Sequence, residues 1–178
     1  LSGSNLEKYQ RAIHCTSGVV LIAGPTGSGK SSTMNTMISQ LNTEEVNLVT
    51  LEDPVEYNID GVNQVQINEK TGMDFANGLR AILRQDPDII AVGEIRDGET
   101  AQISMRAAIT GHVVLSTIHT NDAVGTIERL EDIGVEPYLI ATALRGVISQ
   151  RLVRRICLKC QKSYEASDEE VRRLGLST

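Results

Sequence analysis

Val19-Val20-Leu21-Ile22-Ala23-Gly24-Pro25-Thr26-Gly27-Ser28-Gly29-Lys30-Ser31 is the stretch that decides the fold. Its apolar run is continuous, which marks a strand covered on both faces rather than one with a wet side. The glycine-rich turn that follows has the spacing G-x-x-x-x-G-K-S and opens onto a helix-compatible segment, Lys30 to Leu41. Glycines let backbone N–H groups turn inward around phosphate oxygens, and the start of the helix adds the positive end of its dipole. Lys30 is placed to neutralise β and γ phosphates, and Ser31 to ligate Mg²⁺. A turn of no consequence needs neither the lysine nor the hydroxyl after it. The candidate nucleotide-binding residues are therefore Gly24, Pro25, Thr26, Gly27, Ser28, Gly29, Lys30, Ser31 and Ser32.

Outward from this core the same pattern recurs. Val46 to Leu51 ends in Glu52-Asp53-Pro54, Ile89 to Val92 in Gly93-Glu94, and Val113 to Ile118 in His119-Thr120-Asn121-Asp122. Segments with helical spacing lie among them: Leu6 to Ile13, Phe75 to Leu83, Thr100 to Ala108, Asp122 to Ile133 and Pro137 to Ile148. Val62 to Ile67 alternates apolar and polar residues and is expected as an added edge strand. Strands alternating with helices predict an α/β domain with a largely parallel sheet covered by helices, whose ligands sit outside the carboxyl ends of the strands.

The chain has 178 residues, 40% of them hydrophobic and 22% charged, enough for one domain with its own core. No apolar run approaches the ~18 residues that cross a bilayer, and no signal peptide is evident, so a cytoplasmic location is expected. Three cysteines without a signal peptide fit a reducing compartment. Net charge is −6 and the aromatics are one Phe and four Tyr, a poor endowment for gripping and stacking nucleic acid. The charge is uneven: residues 1–150 carry net −9 and residues 151–178 net +3. A domain over residues 1–155 and the start of a small appendage over 156–178 are expected on that basis.

Hydrolysis needs a carboxylate near the metal and another to orient or deprotonate water. Glu94 tips one apolar strand, and Glu52, Asp53 and Glu56 follow another on a turn fixed by Pro54. Carboxylates converging in this way repel one another unless a divalent cation lies among them, so Mg²⁺ is implied by charge as well as by motif.

Four segments occur in order: Gly24 to Ser31, Thr50 to Glu56, Leu83-Arg84-Gln85-Asp86-Pro87-Asp88 through Gly93-Glu94-Ile95-Arg96-Asp97, and Gly111-His112 through Ser116-Thr117-Ile118-His119-Thr120-Asn121-Asp122-Ala123. They resemble the P-loop, Asp box, Walker B and His box of the type II secretion and type IV pilus assembly ATPases, over roughly residues 5 to 165. The resemblance implies a RecA-like P-loop NTPase fold and ATP hydrolysis that drives pilin or pseudopilin movement. It also implies a homo-hexameric ring, peripheral at the cytoplasmic face of the inner membrane, that works with a polytopic membrane platform protein and other secretion or pilus components. A nucleotide-gated scaffold and a nucleic-acid translocase on the same core are the alternatives.

By the same resemblance Glu56 is the catalytic carboxylate, Glu94 the metal-side group together with Ser31, and His119 a contact to the γ-phosphate region. Arg80 and Arg84 are expected to meet phosphate or a neighbouring subunit. His112 is open between a packed residue and a ligand. Cys157-Leu158-Lys159-Cys160 resembles the first half of the tetracysteine motif in the assembly and secretion branches. No Cys or His follows it, so the half site implies a chain cut at Thr178 and zinc only in a longer chain. Cys15 is the other cysteine, distant in sequence. Little apolar surface follows Glu165, so disorder is expected there.

Overall fold

The computed structural model describes residues 3–175. It contains one six-stranded sheet, all parallel, in the order β3-β2-β4-β5-β1-β6. The strands are β1 (Gly18–Ala23), β2 (Leu48–Glu52), β3 (Asn63–Gln66), β4 (Ile89–Val92), β5 (Val113–Ile118) and β6 (Leu144–Ser149). β1, β4 and β5 are buried along their whole length, as their unbroken apolar runs require.

Helices cover both faces. On one face Val20, Ile22, Ala91 and Leu115 pack with Tyr9 and Ile13 of α1 (Gly3–Ile13) and with Met37, Ile38 and Leu41 of α2 (Lys30–Leu41). On the other, Val19, Leu21, Ile90 and Val114 meet α3 (Phe75–Ile82) through Leu79 and α4 (Gly98–Ile109) through Met105. Leu130 of α5 (Gly125–Asp132) and Ile140 of α6 (Pro137–Ala143) join the same cluster. Each fully buried aliphatic side chain contributes roughly 1.5–3 kcal/mol relative to exposure.

Several starts are set by short-range bonds. Asp74 and Asp97 cap α3 and α4 by accepting from the Asn77 and Thr100 amides. Asp122, expected inside α5, instead precedes it and accepts from the Gly125 amide at 2.7 Å. The expected edge strand is present as β3.

Two expectations are corrected. The helix over Pro137 to Ile148 ends at Ala143, and Leu144–Ser149 extends to become β6. Gly146 and the β-branched Val147 and Ile148 disfavour helix, and α1 lies so close that a Cβ at Gly146 would sit 3.1 Å from the Ala12 methyl. Beyond Glu165, where disorder was expected, α7 (Asp168–Arg173) forms. A reciprocal cap between Ser167 and Glu170, joined by the Tyr164 hydroxyl, supplies locally what a core does not.

Candidate functional site

Because every strand is parallel, the residues after each strand gather along one edge of the sheet: Gly24 after β1, Asp53 after β2, Gly93 after β4, His119 after β5 and Gln150 after β6. β5 separates the strand that leads to the glycine loop from the strand that leads to Glu94. Its end therefore lies between the two, and Thr117 and His119 enter the space between loop and carboxylate.

That space is a cleft of about 480 Å³ lined by Thr26, Gly27, Gly29, Lys30, Ser31 and Ser32 on one side. Glu52, Asp53, Pro54, Glu56, Glu94, Thr117 and His119 line the other, and Phe75 and Leu152 add apolar surface to the lining. A larger hollow of about 690 Å³ lies between α1 and β6, but no carboxylate lines it, so it offers nothing to a metal-assisted reaction.

The loop has the backbone its glycines permit. Gly27 and Gly29 have φ of +75° and +84°, a region closed to most side chains, and α2 starts directly from Gly29. Lys30 is buried, and its ammonium donates to the carbonyls of Gly24 at 3.0 Å and Pro25 at 3.1 Å. Burial pushes its pKa down, and the nearby Glu94 charge partly restores it.

Glu94 is 17% exposed and is paired on both oxygens. One accepts from the Arg96 guanidinium, and the other lies 3.5 Å from His119 Nε2. Arg96 is held firmly protonated, first by its hydrogen bond to Glu94 and further by the charges of Glu94, Asp53 and Glu69. The β4 end is braced from β5: Ser116 Oγ donates to Val92 O at 2.8 Å and Thr117 Oγ1 to Gly93 O at 2.7 Å.

The acidic loop after β2 hangs on β3. Glu52 accepts from Thr50 Oγ1 at 2.6 Å and Gln64 Nε2 at 2.9 Å, and the same Gln64 amide reaches Tyr57 O at 2.9 Å. Gln66 accepts from the Val55 amide. Glu56 faces the cleft and makes no side-chain hydrogen bond among the described residues, so its carboxylate is available to water.

Arg80 and Arg84 are not brought to the cleft of this chain. Arg80 pairs with Glu99 of α4 on the surface, and Arg84 is exposed. His112 is a packed residue: its Nδ1 lies 2.9 Å from Ala107 O at the end of α4. Cys157 and Cys160 are exposed on a turn closed by Gln161 N donating to Cys157 O at 2.9 Å. Local amides and the Cys160 thiol lower the Cys157 pKa. The pair supplies two of the four ligands a structural zinc requires. Among the described residues no group of three or more His, Cys, Asp or Glu is placed to hold a metal, so these residues do not by themselves fit a zinc site. Cys15 is half-buried between α1 and β6, away from both.

The cleft's oxygen donors fit Mg²⁺ as one hydroxyl and one carboxylate, Ser31 on the loop and Glu94 opposite, a sparse set of the kind that suits an ion whose other ligands are water and phosphate oxygens. Arg96, Thr117 and Gln64 support the cleft and were not singled out from sequence, nor was Gln150, which follows β6. Arg96 and Thr117 sat inside the quoted motifs, whereas nothing local marks Gln64 or Gln150.

The family profile described as Type II/IV secretion system protein matches residues 1–176. The Type II secretion system protein E of Dickeya dadantii is 53% identical over 173 residues, covering 97% of this chain and 35% of that protein. The Type II secretion system ATPase E of Vibrio cholerae is 53% identical over 174 residues, covering 98% of this chain and 34% of that protein. The Type IV pilus assembly ATPase PilB of Thermus thermophilus is 54% identical, covering 96% of this chain and 19% of its own length. Among solved structures, the pilus retraction motor PilT with bound ADP superimposes with a TM-score of 0.75 at 44% identity, over 83% of this chain and 46% of that one. The chain thus spans about a third or less of the curated relatives named.

Proposed function

This chain belongs to the Type II/IV secretion system protein family, and from that premise we propose that it is an ATP-hydrolysing motor domain that powers assembly of type IV pili or type II secretion pseudopili. The observation that carries the proposal is the cleft itself, in which a phosphate-binding loop with a buried lysine faces Glu56 and Glu94 across the ends of β1, β2 and β4. The relatives named as ATPases and the ADP-bound PilT structure support it.

In this reading the loop amides and the start of α2 receive the phosphates, and Lys30 exchanges its two loop carbonyls for β and γ oxygens. When bound, Mg²⁺ neutralises phosphate charge; Ser31 and Glu94 are the residues that would hold it. Glu56 orients a water and accepts its proton as the water oxygen bonds to the γ phosphorus and the bond to the β–γ bridging oxygen breaks, giving ADP and inorganic phosphate. His119 stands at the γ end, its ring steered by Glu94. Arg96 offsets the Glu94 charge before the phosphates arrive.

The domain comprises residues 1–155, and 156–178 begin an appendage whose Cys157 and Cys160 complete a zinc site only with further ligands. The working form is a homo-hexameric ring at the cytoplasmic face of the inner membrane, docked on a polytopic platform protein. Arg80 and Arg84, exposed on or just after α3, act towards a neighbouring subunit. No helix among the described residues is long and apolar enough to cross a membrane.

The test is ATP turnover by the full-length protein. Lys30→Ala should lose nucleotide-dependent thermal stabilisation, and Glu56→Gln should keep it while losing about 10²-fold or more of turnover. Unchanged turnover in Glu56→Gln sinks the catalytic assignment. Stimulation by DNA would favour a translocase instead.

A further inference from the structure

Gln150 follows β6 and lies outside the cleft lining, yet it touches the phosphate loop at its beginning, middle and exit. Its amide N–H continues the ladder to Ala23 O at 2.9 Å, immediately before the loop. Its side-chain Nε2 donates to Ser28 O at 2.7 Å, and its Oε1 accepts from Thr33 Oγ1 in the first turns of α2 at 2.8 Å. The orientation of the amide is dictated by its partners, because a backbone carbonyl can only accept. The fit is close on both sides. A Cβ at Gly24 would lie 2.6 Å from the Gln150 carbonyl, and one at Gly29 would lie 3.2 Å from its Nε2.

The loop's remaining bonds outside α2 are few: Ser28 N to Pro25 O at 3.2 Å, Thr33 N to Gly29 O at 3.1 Å, and the two from Lys30. The Lys30 bonds are the ones a phosphate would take over. Once they are gone, the bonds from Gln150 keep the loop on the sheet.

We propose that Gln150 is the positioning residue of the phosphate loop, a strap from the last strand whose amide sets nucleotide affinity without entering the reaction. This rests on the reading of Gly24 to Ser31 as the phosphate cradle. Since the loop meets phosphates that ATP and ADP share, loss of the strap weakens both alike. It raises KM and leaves kcat nearly unchanged, the signature of uniform binding.

The experiment measures Kd for ATP and ADP with Mg²⁺, steady-state turnover and thermal stability in the full-length protein. Gln150→Ala removes both side-chain bonds and should weaken both nucleotides about 5- to 25-fold, at about fivefold per neutral hydrogen bond, with kcat held within about twofold. Gln150→Glu keeps the acceptor for Thr33 but sets an oxygen against Ser28 O and a negative charge beside the phosphates, and should lose more. Thr33→Val, a milder change that spares the core, should weaken binding about two- to fivefold. Added to Gln150→Ala it should cost nothing further, because Thr33 acts through the same amide.

Wild-type affinity in Gln150→Ala or Gln150→Glu with only a lowered melting temperature overturns the proposal. So does a fall in kcat at unchanged Kd, or full additivity with Thr33→Val. Lys30→Ala separates the two levels. If it loses affinity while the Gln150 variants do not, only the strap is refuted. Wild-type affinity in Lys30→Ala refutes the cradle and the strap together.

Discussion

Replacing Gly24 with alanine tests how tightly the loop is built against its neighbours. The added methyl would stand 2.5 Å from Ser28 Oγ and 2.6 Å from the Gln150 carbonyl oxygen, at a backbone φ of +156°. The first obstacle can rotate away, since Ser28 Oγ is buried with no hydrogen-bond partner. The second cannot, because Gln150 is pinned by its own amide to Ala23 O at 2.9 Å. Relief therefore requires the loop to lift from β6, an overpacking cost of about 2–4 kcal/mol. At about 2–4 °C per kcal/mol for a chain of this size, the melting temperature should fall by about 4–16 °C. Urea denaturation should show the same loss as a lower midpoint at unchanged slope. Ser28→Ala alone should be neutral or slightly stabilising, because it removes a buried hydroxyl that bonds to nothing. Combined with Gly24→Ala it should restore less than half of the loss, since the Gln150 carbonyl remains. Gly24→Ala within about 0.5 kcal/mol of wild type would refute the argument, as would full restoration by Ser28→Ala.

Glu94→Gln should raise the Mg²⁺ concentration needed for half-maximal turnover, beyond any effect on kcat, and an unchanged Mg²⁺ titration removes Glu94 from the metal side. Asp97→Ala strips the cap from α4 and should cost about 1 kcal/mol in urea unfolding, with no change in nucleotide affinity. Burial lowers the Lys30 pKa in the folded chain below its unfolded value, so folding disfavours the ammonium. Its contribution to stability is present above the unfolded pKa, near about 10.4, and is lost as pH falls through the folded pKa. The stability of wild type relative to Lys30→Met should accordingly rise with pH over the alkaline range. ATP affinity should fall over the same range as the ammonium loses its proton, and a flat difference profile would contradict the shift.

The buried strands were legible because their function in the fold is written locally. Val19 to Ala23 and Ile89 to Val92 are apolar throughout, and only a parallel sheet wrapped by helices covers both faces of such runs. The glycine loop and the carboxylates at strand ends were legible for the same reason: chemistry and backbone constraint coincide within a few residues. β6 was not, because Leu144 to Ser149 has enough apolar spacing to continue a helix. What turns it into a strand is β1, far back in the sequence, together with the close approach of α1 at Gly146. Gln150 was invisible on the same ground, since its three partners all lie in the first 33 residues. The pairing of Glu94 with both Arg96 and His119 needed the end of β5 placed beside that of β4. α7 was missed through reliance on core burial, when a local capping box was enough.

β1 is made well before it is completed. Its two neighbours in the sheet are β5, which begins at Val113, and β6, which begins at Leu144, so neither edge of β1 can be paired until the chain has run on to Val113. Pairings this distant in sequence are slow to form, and during synthesis the chain is exported from the ribosome N-terminus first. The segment from Val19 to Ala23 must therefore wait as an apolar ribbon with both hydrogen-bonding edges open, the part of a nascent chain most prone to stick to others. The loop that follows receives its bonds from the last strand only when Gln150 has emerged and seated against it. A ribosome-bound chain shorter than that has the full nucleotide motif in its sequence but a looser cradle, so nucleotide affinity rises as the sheet closes.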